Sequence, residues 1–283
     1  MQQLSGGENA LLGVLAGAIE VCIDQPQLYW KNASQQGLPF TLNPRYLYRG
    51  LFASMANMAT LTGIQFYGVG MVKKMITKGD NDYVLSNFEQ IYSAFIGGIL
   101  SGFVCGPLEL TMIQQQRKGF NMYQTAYNII SQNGVYGYTR GLYSSILRES
   151  IFVAGLLGLA PVFEDEFKNR FGSSNLFVTL GASLLGALPA AILSHPMDTV
   201  KTCMQGDIER NQYNNMRQSL IKIYYDGGIS RMYAGFGWRY SRMACTIFIV
   251  NRAKLYLAPY LFPKYFITDI DIDNDITTQT NLV

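Results

Sequence analysis

The chain has 283 residues, of which only 14% are charged, with 13% aromatic residues and 28 glycines. Ordinary soluble domains carry about 25% charged residues, so this profile suits a polytopic helical membrane protein, in which small residues let helices approach closely. The net charge of +3 is too small to argue for a nucleic-acid partner.

Other classes fall away residue by residue. Cys22, Cys105, Cys203 and Cys245 lack metal-ligand or paired spacing and read as small apolar packing residues. His195 is the only histidine, so neither a metal site nor His-based catalysis is expected. No phosphate-cradling loop and no nucleophile elbow occurs, so the chain is not expected to be an enzyme or to need a cofactor. The first ten residues, MQQLSGGENA, hold no basic apolar signal and no Arg-rich presequence, so any targeting is expected to be internal.

In chain order, hydrophobic stretches of spanning length fall near residues 8–35, 52–76, 89–117, 143–170, 176–205 and 237–260. About twenty residues cross the hydrocarbon core, and helices satisfy their own backbone there. The expected fold is an all-α membrane protein with six transmembrane helices. The odd spans repeat one phrase: PQLYWKNASQ from Pro26, PLELTMIQQQ from Pro107 and PMDTVKTCMQ from Pro196, each closing on a glutamine, Gln35, Gln116 and Gln205. One unit is therefore written three times, over 1–81, 82–172 and 173–263, the three forming one structural domain with a tail over 264–283.

Upstream of each proline, small residues four apart share a helix face: Gly13 and Gly17, Ala94 and Gly98, Ser183 and Ala187. Their common register predicts a repeated close helix contact. The prolines lie late in the odd helices and are expected to bend them. Three such helices related by a threefold axis would converge and close a central cavity at one end.

Each even helix opens on a short motif: Tyr48-Arg49-Gly50, Thr139-Arg140-Gly141 and Tyr233-Ala234-Gly235. A helix N-terminus with a glycine and a nearby base is a phosphate site, and in a membrane the phosphates are lipid headgroups. Arg49, Gly50, Arg140, Gly141 and Gly235 are the candidates. The third motif lacks the base, and a plain turn stands equally open there. In the tail, Asp269, Asp271, Asp273 and Asp275 alternate as in a calcium loop, but the glycine and glutamate that such a loop needs are missing. The tail reads as a flexible acidic segment.

Over roughly residues 8–260 these features resemble the mitochondrial carrier family of solute transporters. Its signature is a proline, an acid two residues on, a base five on, then an aromatic-basic-glycine motif, in three copies. The resemblance implies six tilted helices in three pseudo-symmetric repeats, short matrix-side helices, and a central site between two gates. It also implies a monomer in the inner membrane, with a small solute and membrane lipids such as cardiolipin as partners. Pro196, Asp198 and Lys201 complete the signature. The second copy has Glu109 but Met112 in the base position, and the first has Lys31 but Leu28 in the acid position. Carried over, the matrix gate pairs Glu109 with Lys201, Asp198 with Lys31, and Leu28 with Met112. Both charges of the third pair are missing together, and an apolar pair of similar size can be near neutral where a lone buried charge is costly. Gln35, Gln116 and Gln205 stand where the family braces these pairs. The stretch from Pro26 to Gly50 is short, which trims the first matrix helix. At the opposite gate the corresponding positions are Gly70 and Lys73, Pro161 and Glu164, Leu255 and Ala258, and no acid–base pair results.

Charged side chains at membrane depth usually face water or a partner. Asn57, Arg148 and Arg242 lie seven residues after the motif glycines and so at one depth. By resemblance this is the substrate level, and arginine followed by an acid, Arg148-Glu149, is similar to carriers of amino acids. A guanidinium can hold a carboxylate through two hydrogen bonds, and Glu149 can meet an ammonium. Alternatively, Arg148 and Glu149 satisfy one another or a neighbouring helix. Glu20, six residues before Pro26, resembles the oxodicarboxylate carriers, and Arg239 is expected nearer the surface and lipid phosphates. The expected function is secondary transport of a small carboxylate-bearing metabolite by alternating access. A non-transporting carrier acting as scaffold or receptor, and a proton or anion leak, are the other readings.

Overall fold

The computed structural model describes residues 6–78, 80, 85–156, 166, 167, 170 and 176–262. The tail, with its aspartates, and Pro161 and Glu164 lie outside them. Among the described residues every element is helical: α1 (Gly6–Gln36), α2 (Pro44–Leu47), α3 (Leu51–Ile76), α4 (Asn87–Lys118), α5 (Met122–Asn133), a 3-10 turn (Val135–Thr139), α6 (Leu142–Ala154), α7 (Leu176–Gly206), α8 (Met216–Met232) and α9 (Phe236–Leu261). The long helices coincide with the expected spans within two residues at each described end. In the fourth span residues 157–165, 168 and 169 lie beyond the described residues.

Local chemistry sets the boundaries. Ser86 and Glu89 form a reciprocal cap at the start of α4, and Asn121 with Gln124 does the same for α5. Pro26, Pro107 and Pro196 lie inside α1, α4 and α7, which continue past them. The connection after α1 holds only the four-residue α2, against twelve residues in α5 and seventeen in α8, in line with the shortened first stretch.

The six long helices contact one another in cyclic order: α1 with α3, α3 with α4, α4 with α6, α6 with α7, α7 with α9, and α9 with α1. Glycine makes one of these contacts very close. A Cβ on Gly98 would fall 2.5 Å from Ser150 Cα, and one on Gly102 2.7 Å from Ile146 Cα, so α4 and α6 meet nearly backbone to backbone. The expectation of the same contact in every copy is corrected at Gly17, where a Cβ would meet nothing within 4 Å. Gly98 is followed at helical spacing by Gly102 and Gly106, whereas Gly17 is followed by the larger Val21 and Gln25. Burial at Gly13 and the side chain of Ser183 are outside the description.

Among the described residues one helix, Asn87–Lys118, is long and apolar enough by composition alone to cross a membrane. The other long helices carry polar and charged residues that are buried inside the ring: Glu20, Asp24, Gln25 and Lys31 in α1, and His195, Asp198 and Lys201 in α7.

The loop from α7 to α8 is built on two buried side chains. Arg140 donates to the carbonyls of Met204, Asp207, Tyr213 and Asn214. Asp207 accepts from the amides of Asn211, Gln212 and Tyr213. Burial pushes the Asp207 carboxyl up, but those amides and Arg140 outweigh it and hold it below the usual carboxylate range. Its contribution to stability is therefore complete above the unfolded carboxyl's range and is lost as pH falls through the folded value. Arg140→Ala leaves several buried carbonyls without a donor and is expected to cost about 2–4 kcal/mol. Thermal unfolding in detergent should show the same drop in midpoint with and without anionic lipid. A drop confined to lipid-containing samples would show that Arg140 acts through lipid instead.

Candidate functional site

The motif glycines organise the end of the ring where the prolines lie. Gly50, Gly141 and Gly235 cap the even helices in the left-handed conformation, with φ of 81°, 73° and 77°, where a side chain is strained. Each also lies against the following odd helix. A Cβ on Gly50 would fall 3.2 Å from Met112 O, on Gly141 3.5 Å from Lys201 O, and on Gly235 2.8 Å from Lys31 O. The three contacted residues are the three base positions of the repeated phrase. The glycines thus bring the even helices against the residues that face the centre.

At that centre Lys31 Nζ lies 2.7 Å from Asp198 Oδ2, joining α1 to α7. Lys201 Nζ lies 3.1 Å from Glu109 Oε2, joining α7 to α4. Leu28 packs against Met112, Ala53 and Ile113, joining α1 to α4. All four charged groups are buried. The structure therefore brings together every pair that the repeats place in register, including the apolar one.

The glutamines behave unequally. Gln35 donates to Asp198 Oδ2 at 2.9 Å and to Thr199 Oγ1 at 3.3 Å, so it braces the Lys31–Asp198 pair. Gln116 and Gln205 do not brace a charge pair, contrary to expectation. Gln116 accepts from Asn32 Nδ2 at 2.7 Å, since its neighbouring pair, Leu28 with Met112, has no charge to hold. Gln205 donates to Gly106 O and Ser145 Oγ, both at 3.4 Å, while Glu109 takes its second partner from an arginine.

That arginine is Arg148. Its Nη2 lies 2.7 Å from Glu109 Oε1 and 2.5 Å from Glu149 Oε2, and its Nε lies 3.7 Å from Asp198 Oδ1. Gln65 donates to the other oxygen of Glu149. Arg148 and Glu149 thus satisfy one another, and Arg148 also belongs to the charge cluster beside the prolines. Arg239 was expected near the membrane surface. It is buried instead, donating to Ser194 Oγ at 2.8 Å, lying 4.0 Å from Asp198 and standing over the Phe152 ring at 5.2 Å. The reason is that Asp198, with Lys31 on one side, has room for a further cation on the other.

One level away from the prolines, Arg242 Nη2 lies 3.0 Å from Glu20 Oε1. Thr246 Oγ1 is 2.7 Å from that same oxygen and 3.3 Å from Asp24 Oδ2. Asn57 is half-buried, and its Oδ1 has no hydrogen-bond partner among the described residues. It joins neither arginine.

The headgroup candidates divide. Arg140 donates to the four carbonyls already described, which accounts for most of its N–H groups, and it also lines a cavity at the second motif; Arg49 stacks over Tyr46 at 4.0 Å. That cavity, of about 250 Å³, is lined among others by Gly141, Leu142, Arg210, Asn215 and Met216. At the opposite end of the ring, Gly70 and Lys73 lie on α3 and Ala258 on α9, and Arg170 pairs with Glu166 one turn away at 2.8 Å.

Sequence reasoning missed Asp24, Gln65 and Thr246 and misplaced Arg239. Helical spacing carried the signal for all four. Asp24 is one turn after Glu20, Gln65 two turns after Asn57, and Arg239 and Thr246 flank Arg242 by about one turn.

Known proteins align with this arrangement. The profile of the mitochondrial carrier proteins matches residues 83–171 and 172–254, more than half of the chain. The chain belongs to the mitochondrial carrier protein family. Among curated relatives, a probable mitochondrial 2-oxodicarboxylate carrier of Dictyostelium discoideum is 24% identical over 197 residues, covering 67% of this chain and 65% of that protein. The chain thus spans just under two thirds of that relative's length. A mitochondrial glycine transporter of Kluyveromyces lactis is 22% identical, covering 82% and 90%. A mitochondrial dicarboxylate/tricarboxylate transporter of Arabidopsis thaliana is 22% identical, covering 79% and 83%.

Leu28→Asp would place an unpaired carboxylate among Met112, Ala53 and Ile113 and is expected to cost about 3–5 kcal/mol. Adding Met112→Lys should restore a large part of that loss. Thermal unfolding of the single and double variants measures both effects, and an unimproved double variant would show that the two positions do not face each other.

Proposed function

We propose that this chain is a secondary transporter that moves a small carboxylate-bearing metabolite across the mitochondrial inner membrane. The solute class is an amino acid or derivative, or an oxo- or dicarboxylate. In this reading the six long helices span the bilayer as three repeats, over 1–81, 82–172 and 173–263, forming one monomeric unit. Lipid phosphates, cardiolipin among them, meet the N-termini of the even helices, with Arg210 supplying charge at the second motif.

The observation that carries the proposal is the set of buried charges on facing helices of one ring. Ionised groups at membrane depth cost about 2.5–3.5 kcal/mol each on insertion scales. A chain that keeps Glu20, Arg148, Glu149 and Arg242 there has a use for them. The relatives support the solute class, since their names specify oxodicarboxylates, di- and tricarboxylates, and glycine.

Alternating access follows from the pairs. Lys31–Asp198, Lys201–Glu109 and Leu28–Met112 close the matrix side. A carboxylate arriving at Arg148 competes with Glu109 for the same guanidinium. Binding energy then offsets the loss of the gate pairs, and an apolar third pair makes that loss smaller.

Uptake into liposomes tests the site. Arg242→Ala removes a cation that touches Glu20 but none of the gate pairs, and uptake should fall at least about 100-fold. Arg148→Ala should lose uptake to a similar degree, with a shifted unfolding midpoint as well. Undiminished uptake by folded Arg242→Ala would overturn the site. One observation favours a second reading, a scaffold without flux: no repeat carries both an acid and a base at the register positions Gly70 and Lys73, Pro161 and Glu164, Leu255 and Ala258. Saturable uptake of any metabolite by the wild type would dispose of it.

A further inference from the structure

The buried charges fall into two unbalanced levels. Beside the prolines, four cations (Lys31, Arg148, Lys201 and Arg239) meet three carboxylates (Glu109, Glu149 and Asp198). At the level of Glu20 the ratio reverses: among the described residues Glu20 and Asp24, bridged by Thr246, have one cation, Arg242 on Glu20. One level carries a formal excess of +1 and the other of −1. The two are joined through α9, where Arg239 and Arg242 stand three residues apart, about 4.5 Å along the helix.

The acidic level is also incompletely bonded. Glu20 and Asp24 are fully buried. Glu20 Oε1 takes both Arg242 and Thr246, while Glu20 Oε2 is buried without a hydrogen-bond partner among the described residues. Among the described residues Asp24 receives the shared Thr246 hydroxyl and a long contact, 3.5 Å, from Gln27. A buried carboxylate oxygen with no donor is costly. The group missing here is a compact cationic donor.

We propose that Glu20 and Asp24 receive a primary ammonium group, so that the solute is a zwitterion lying across the two levels. Its carboxylate turns toward Arg148 and Arg239, and its ammonium turns toward Glu20 Oε2 and Asp24. An ammonium has three donors and no acceptor, which suits the unmet carboxylate oxygen Glu20 Oε2. A zwitterion also leaves the ring neutral, as the two levels already are together. A dicarboxylate without an amine would add two negative charges and leave Glu20 Oε2 unmet. Asp24 is then a specificity residue of the transport site, and the inference rests on the transport reading above.

Matched solutes test it: glutamate against 2-oxoglutarate, and glycine against glyoxylate, each pair differing in an amine against an oxo group. The full chain in liposomes should prefer the amino member of at least one pair by about tenfold or more, because a site built to bond a group rejects analogues that lack it. Asp24→Asn should reduce that preference several-fold. The wild-type comparison requires no variant to fold, and the variant's unfolding midpoint guards the second arm. Equal or greater uptake of the oxo acids overturns the inference and leaves the carrier reading intact. So does oxo-acid uptake driven by external acid, which would show a proton between the two carboxylates instead. If no member of either pair is moved, both readings fall.

Discussion

Everything at the centre of this molecule depends on one constraint: a buried charge must be matched within reach. Asp198 shows how strictly it is obeyed. Its carboxylate lies 2.7 Å from Lys31, accepts from Gln35, and has Arg148, Lys201 and Arg239 within 4.0 Å. These partners come from four of the six helices in the ring. A carboxylate with that many cations cannot move without moving helices, so Asp198 ties the ring together at one end. The same constraint explains the third pair. Where Leu28 replaces an acid, Met112 replaces the base, and the contact closes with dispersion and burial in place of charge.

Charge can be matched only if the helices come close enough, and glycine provides that. The three motif glycines each take a left-handed conformation and lie against the carbonyl side of a base position. Along α4, Gly98 and Gly102 bring α6 almost into backbone contact, which carries Arg148 and Glu149 to Glu109. A larger residue at either position would push α6 outward and separate Arg148 from the acids that hold it. Thus small residues on one helix face and ion pairs at its end are parts of one arrangement.

The fold was largely legible in the sequence because its signals are periodic. Spans, prolines and motif glycines recur at fixed intervals, and the helix boundaries followed them. The Lys31–Asp198, Lys201–Glu109 and Leu28–Met112 contacts were legible for the same reason, since one register predicted all three. The arrangement of the charges was less so. Arg148 and Arg242 stood out as arginines inside apolar stretches, but nothing along the chain says that Arg148 reaches Glu109 on another helix. Arg239 looked peripheral because it is only three residues into α9, yet the demand of Asp198 draws it inward. Gln116 and Gln205 share a register with Gln35 without sharing its bonds, because the partner at each site differs in charge. Register specifies position, while bonding depends on what the neighbouring helix presents.

In the transport proposed above, Arg148 links recognition to closure. It contributes to holding Glu109, which also needs Lys201, and it touches Glu149, which faces Gln65. A ligand shifts an equilibrium only as far as it binds one state better than the other. In the proposed cycle a solute carboxylate bonded to Arg148 would meet that requirement, because the bond is made at the expense of the Arg148–Glu109 contact. At an effective dielectric near 20, a pair at 4 Å is worth about 4 kcal/mol, so exchanging one such contact can rebalance states that differ by a few kcal/mol. With an apolar contact in place of a third ion pair, less needs to be exchanged before the closed end gives way.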